Sequence, residues 1–121
     1  MFKILIVEDE TDVASVLRKR LATAGFNIVV SSDAYQGVEM AHREKPDLII
    51  LDLLMPSGGG LSVLKNIRIS SFTKDIPVVV LTGAEDESLK KNILDQGVSA
   101  FLRKPYIIEE VVSTINDILV K

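Results

Sequence analysis

The sequence predicts an α/β domain with a five-stranded parallel sheet. Short apolar runs alternate with helix-patterned segments along the whole chain. The Leu48–Leu51 run shows no polar alternation, as expected of a strand covered on both faces. Four of the runs end in a polar residue with useful chemistry: Ile4–Val7 in Glu8 and Asp9, Leu48–Leu51 in Asp52, Val78–Leu81 in Thr82, and Phe101-Leu102 in Arg103 and then Lys104-Pro105. In parallel α/β sheets, ligands bind outside the carboxyl ends of the strands. Those residues would then meet at one edge, in a constellation suited to a divalent metal and a phosphoryl group.

Each element has its own signal. Ile4–Val7 is apolar and β-branched and reads as a buried strand. Val13, Val16, Leu17, Leu21 and Ala24 recur at helical spacing, and Gly25 stops that helix. Asn27–Val30 is the second strand. A helix follows from Ala34 to about Glu44, with Val38 and Ala41 inward and Ser32 or Asp33 as its cap. Lys45-Pro46-Asp47 is a turn, and Leu48–Leu51 the third strand. Leu61, Val63, Leu64 and Ile67 mark the third helix, and Pro77–Leu81 the fourth strand. Leu89, Ile93 and Leu94 mark the fourth helix, closed by Gly97. Ala100–Leu102 is the last strand. Ile108, Val111, Val112, Ile115, Ile118 and Leu119 form the stripe of the final helix.

Five strand-then-helix repeats call for right-handed crossovers and a doubly wound sheet. Five strands suit the flavodoxin-like order 2-1-3-4-5, with its switch point between strands 1 and 3, where Glu8, Asp9 and Asp52 sit. At 121 residues the chain is expected to be one domain over 1–121. A 47% hydrophobic composition and a net charge of −3 exclude a disordered chain and give non-specific nucleic-acid binding no support. The absence of cysteine excludes disulfides and thiolate metal sites and fits a reducing cytoplasm. No apolar run approaches the ~20 residues of a membrane span, and the N-terminus lacks a signal-peptide pattern.

Taken singly, the polar residues leave alternatives open. Glu8-Asp9 is either a solvated helix start or a pair of metal ligands, since a cation would stabilise two adjacent carboxylates. Asp52 is either a structural cap or a functional carboxylate, able as a nucleophile to form an aspartyl-phosphate. Lys104 is either a solvated surface lysine or a point charge for a phosphate oxygen. Pro105 is a candidate for a cis peptide. Thr82 is either a helix cap before Glu85 or a hydroxyl donor to phosphate. His42, on a helix, reads as a surface residue. Tyr35 and Tyr106 read as partly buried packing, and Met40 and Met55 as packing.

Together these motifs resemble the receiver domain of bacterial two-component response regulators, from Lys3 to Leu119. The resemblance rests on Val7-Glu8-Asp9, Leu51-Asp52 with Met55-Pro56 and Gly60, Thr82-Gly83-Ala84, and Phe101 with Lys104-Pro105. It implies that Asp52 is the phosphoacceptor and Asp9 a direct Mg²⁺ ligand. It implies further that Glu8 is the supporting acid and that Leu54 joins the metal shell through its backbone carbonyl. Thr82 and Lys104 would bind the phosphoryl group, and Phe101 would be the aromatic switch. Three departures stand out. Gly58-Gly59-Gly60 replaces a frequent Met-Asp-Gly and is expected to make a mobile loop. Phe101 replaces a frequent Tyr. Gly83 follows Thr82 where Ala is common.

The implied function is acceptance of a phosphoryl group from a sensor histidine kinase or a histidine phosphotransfer protein. A change in the surface of the fourth helix, fifth strand and fifth helix would follow, read by an output domain or partner protein. Such a domain is not a conventional enzyme, but helps catalyse its own phosphorylation and dephosphorylation. No nucleic-acid or membrane partner is expected, and a phosphorylation-dependent homodimer stays open. The competing reading is a receiver-like interaction module without phosphotransfer. A metal-dependent phosphohydrolase would need a general acid two residues after Asp52, where Leu54 stands.

Overall fold

The computed structural model describes residues 1–55, 59–83 and 87–120, with backbone alone at 87–89. Its elements run β1 (Lys3–Val7), α1 (Thr11–Thr23), β2 (Asn27–Ser31), α2 (Ala34–Glu44) and β3 (Leu48–Asp52). They continue with α3 (Gly59–Ile69), β4 (Val78–Thr82), α4 (Glu87–Leu94), β5 (Ala100–Arg103) and α5 (Ile108–Leu119). The sheet is wholly parallel with order β2-β1-β3-β4-β5, as the alternation predicts. Strand boundaries move by one residue at the carboxyl ends of β2, β3, β4 and β5, each of which includes its polar terminal residue, while β1 begins at Lys3 and β4 at Val78.

The two-residue period of each strand divides the core. Leu5, Val7, Ile49, Leu51, Val78 and Val80 face Ala41 of α2, Val63, Leu64 and Ile67 of α3, and Ile93 of α4. Ile4, Ile6, Leu48, Ile50, Val79 and Leu81 face Leu17 and Leu21 of α1 and Val111 and Ile115 of α5. All residues of β3 and β4 are buried, which explains their lack of polar alternation. Among the described residues no helix is long and apolar enough to cross a membrane.

Local signals set the turns. Asp33 caps α2, its side chain accepting from the Gln36 N–H at 2.8 Å. Gly25 takes φ +102° just after α1, a value that disfavours any residue with a Cβ.

Several expectations are corrected. Val16 is 60% exposed, because Ala14 rather than Val16 completes the buried stripe of α1 with Leu17 and Leu21. Leu94 is half-exposed at the end of α4, and the Leu89 side chain lies outside the described residues. Tyr35 is 79% exposed on the outer face of α2, whereas Tyr106 is half-buried as expected. His42 is half-buried rather than on the open surface. It hydrogen-bonds the Val38 carbonyl and the Ser70 hydroxyl, each at 2.9 Å, and joins α2 to the segment after α3. The glycine run is not a free loop. Gly59 and Gly60 begin α3 and are buried, while Gly58 lies outside the described residues, as do Pro56, Ala84 and Glu85.

Candidate functional site

The register brings the strand ends together. Val7 lies opposite Leu51, so the residues that follow, Glu8 and Asp52, are lateral neighbours. Asp52 lies opposite Leu81, which places Thr82 one step beyond. Thr82 lies opposite Arg103, and the Lys104 N–H donates to the Thr82 carbonyl at 2.8 Å, fixing the lysine just past β5. The Lys104–Pro105 peptide is cis.

Glu8 is 4% exposed, Asp52 5% and Thr82 0%, while Asp9 is half-buried. Glu8, Asp9 and Asp52 each present a carboxylate oxygen within 4.8 Å of the others. The Lys104 Nζ lies 3.3 Å from Glu8 Oε1 and 3.7 Å from Asp52 Oδ2. Backbone groups hold both acids. The Leu54 N–H donates to Asp52 Oδ1 at 3.1 Å and the Glu10 N–H to Glu8 Oε2 at 3.2 Å. The Leu54 side chain is 55% exposed and takes no part.

The electrostatics follow from this crowding. Burial, and then a hydrogen bond with Asp52, push the Glu8 carboxyl up to about 7, against the pull of the Glu10 N–H and Lys104. Burial alone would lower the Lys104 ammonium, but Asp52 and Glu8 outweigh it and hold its pKa above the ordinary lysine value. Lys104 is thus a fixed cation. Asp9, Asp52 and the titrating Glu8 all offer oxygen donors. That set fits a hard divalent cation of the Mg²⁺ type.

The response regulator receiver domain model matches residues 4–116. The chain belongs to the response regulator receiver family. This receiver domain is 34% identical over 117 residues to "Response regulator MprA" of Mycobacterium leprae, covering 97% of this chain and 50% of that protein. It is 33% identical to the phosphate regulon transcriptional regulatory protein PhoB of Escherichia coli, covering 97% of this chain and 51% of that one. The chain therefore spans about half the length of these curated relatives. Chemotaxis protein CheY4 of Vibrio cholerae superposes with a TM-score of 0.91 at 27% identity, over 98% of this chain and 99% of that one. The receiver domain of sensor histidine kinase PA1611 of Pseudomonas aeruginosa superposes with a TM-score of 0.89 at 26% identity, over 99% and 98% of the two chains. Its structure holds a magnesium ion in the active-site cleft.

Glu8, Asp9, Asp52 and Lys104 thus form one cluster, and Thr82 stands at the neighbouring strand end. Phe101 lies lower, opposite Val80 and half-buried against the α3–α4 side of the core. Sequence reasoning passed over three residues. Ser31, fully buried at the end of β2, accepts the Glu8 N–H through its carbonyl at 3.0 Å. Because a backbone carbonyl does this, no side-chain pattern signals it. Tyr106 was read only as packing, yet burial raises its phenol, and the field of Lys104 acts on it. Lys90 of α4 carries its Nζ 5.7 Å from the Phe101 ring centroid, a contact between elements that no local pattern encodes.

Proposed function

We propose that this receiver domain accepts a phosphoryl group on Asp52 from a phosphohistidine of a sensor histidine kinase or a histidine phosphotransfer protein. The observation that carries the reading is the Asp52 carboxylate, almost wholly buried at a strand end and 3.7 Å from a fixed ammonium. A carboxylate oxygen of Asp52 attacks phosphorus and the phosphorus–nitrogen bond breaks. The departing imidazole keeps the electron pair and takes a proton. Lys104 neutralises charge on the transferring oxygens, and the Thr82 hydroxyl donates to one of them. The Leu54 N–H keeps the Asp52 carboxylate oriented. Asp9, Asp52 and the Leu54 carbonyl would hold Mg²⁺, with Glu8 in support. Bound there, the ion supplies positive charge to the phosphoryl oxygens.

The aspartyl-phosphate then biases an equilibrium between two arrangements of the domain. Thr82 moves toward the phosphoryl group, Phe101 turns into the vacated space, and the surface of α4, β5 and α5 changes for an output domain or partner protein. The single domain over 1–121 and its place in the cytoplasm belong to the same reading.

Incubation with acetyl phosphate and Mg²⁺, followed by intact mass, tests the proposal. Wild type gains one phosphoryl group. Asp52→Asn, which keeps the shape and loses the nucleophile, gains none. An Asn variant phosphorylated as well as wild type would remove Asp52 from its role. Steady turnover with no adduct would indicate a hydrolase, and neither adduct nor turnover a binding module.

A further inference from the structure

Lys90 lies mid-way along α4, half-buried, with its ammonium over the face of the Phe101 ring at 5.7 Å from the centroid. A cation within ~6 Å of a ring centroid is attracted by the negative face of the ring. The ring is half-buried against the cluster beneath α3 and α4. Phenylalanine has no hydroxyl with which to fix its position. The face of the ring is the polar handle it offers, and Lys90 occupies it.

The end of α4 is tied differently. One turn after Lys90, Ile93 is fully buried in the same cluster. Beyond the helix, the Arg68 guanidinium of α3 donates to the carbonyls of Gln96 at 3.1 Å and Gly97 at 3.0 Å. The same group donates to the Lys74 carbonyl at 3.0 Å and the Ile76 carbonyl at 2.9 Å. The trailing end of α4 is therefore stapled to α3 and to the approach to β4 by several bonds. At Lys90, among the described residues, the polar contact between α4 and the ring of β5 is that one cation.

We propose that Lys90 is a latch. It holds Phe101 in its resting position under α4 and so sets the phosphorylation threshold of the switch. The inference rests on the reading of Asp52 as phosphoacceptor. Thr82 and Phe101 lie on the same sheet face, since Thr82 is two residues past Val80, the partner of Phe101. A ring that turns toward Thr82 leaves the ammonium, so every such turn gives up the contact. Removing the cation lowers the threshold and keeping it preserves the threshold. Lys90 touches neither Asp52 nor the carboxylate cluster in this scheme, and it leaves the chemistry of transfer unchanged.

The test is a beryllofluoride titration of the Mg²⁺-loaded protein, followed through the NMR signals of the Phe101 ring. An exposed cation–π contact weights an equilibrium by about two- to fivefold. Lys90→Met, unbranched and of similar length, is expected to lower the beryllofluoride midpoint by about that factor. Lys90→Arg, which keeps a cation, should stay at the wild-type midpoint. A Met variant that titrates like wild type overturns the latch, as does an Arg variant that shifts as far as the Met variant. If wild type shows no response at all, the acceptor reading of Asp52 fails, and the latch is read in the unmodified protein instead. There the ε-methylene protons of Lys90 must show an upfield ring-current shift that Phe101→Leu removes. Unshifted methylene protons overturn the latch.

Discussion

A carboxyl that is 4% exposed and hydrogen-bonded to a second carboxyl keeps its proton to an unusually high pH. Glu8 does so because ionising it would set two buried negative charges side by side, and Lys104 offsets only part of that cost. Its folded pKa of about 7 lies above the ordinary 4.5. The folded protein therefore binds this proton more tightly than the unfolded chain does. The resulting stability is fully present below pH 4.5 and is lost as pH rises through about 7. The loss is bounded by on the order of 3 kcal/mol, since each pKa unit corresponds to about 1.4 kcal/mol. In EDTA, Glu8→Gln should show a flatter thermal stability between about pH 5 and 8 than wild type, because an amide has no proton to lose. Equal pH slopes in the two proteins would show that Glu8 does not titrate in this way. The sequence displayed the carboxylates themselves, since each directly follows an apolar strand. It did not display their pairing, which depends on the register between β1 and β3.

At the scale of the element, the start of α3 packs directly on the backbone at the end of β3, beside Asp52. A Cβ built on Gly60 would meet the Leu53 carbonyl oxygen, and would fall 2.6 Å from the Leu53 Cα and 2.7 Å from the Asp52 carbonyl oxygen. All three are backbone atoms and cannot swing away. Around Gly83, by contrast, a Cβ would meet nothing within 4 Å. Alanine is the better helix former by roughly 1 kcal/mol, but overpacking against backbone costs about 1–3 kcal/mol and wins at Gly60. Gly60→Ala should lower the urea midpoint, with a loss of about 1–3 kcal/mol, while Gly83→Ala stays within about 0.5 kcal/mol of wild type. A Gly60→Ala protein as stable as wild type would show that the close approach is not required. This contact also shows where the sequence misled. Three consecutive glycines read as a mobile loop on backbone entropy alone, yet two of them serve close packing at a helix start. The same limit explains Val16 and His42. Periodicity marks which residues share a helical stripe, but the edge of the stripe, and a ring that bonds to Ser70 28 positions away, are set by neighbouring elements. The elements themselves were legible because propensity, caps and period agreed, as at Asp33 and Gly25.

Across the whole molecule, the site and the switch stand on parts of unequal rigidity. The carboxylates rise from β1 and β3, which have strand neighbours on both sides and, in β3, five buried residues. β4 is equally enclosed. Phe101 belongs to β5, an edge strand with one neighbour, in which no residue is fully buried. A strand with one ladder and partial cover opens at lower free energy than one held on both sides. Phosphoryl chemistry is thereby assigned to the stiff centre of the sheet and movement to its edge. The alternation of patterns made a parallel, doubly wound sheet legible, and five strands suited the order that the structure shows. The difference in cover was not legible, since Ala100-Phe101-Leu102 reads in sequence as apolar as the central strands. Native-state hydrogen exchange should resolve the contrast. Amides of Ile50, Leu51 and Val80 are expected to exchange only through global unfolding, with a free energy equal to that from denaturant melts. Amides of β5 should exchange through a lesser opening, on the order of 1 kcal/mol or more below it, and Mg²⁺ with beryllofluoride should narrow the gap by ordering the edge. If the β5 amides exchange as slowly as those of β3 in the unmodified protein, the edge is no softer than the centre. The switch must then move the sheet as one body.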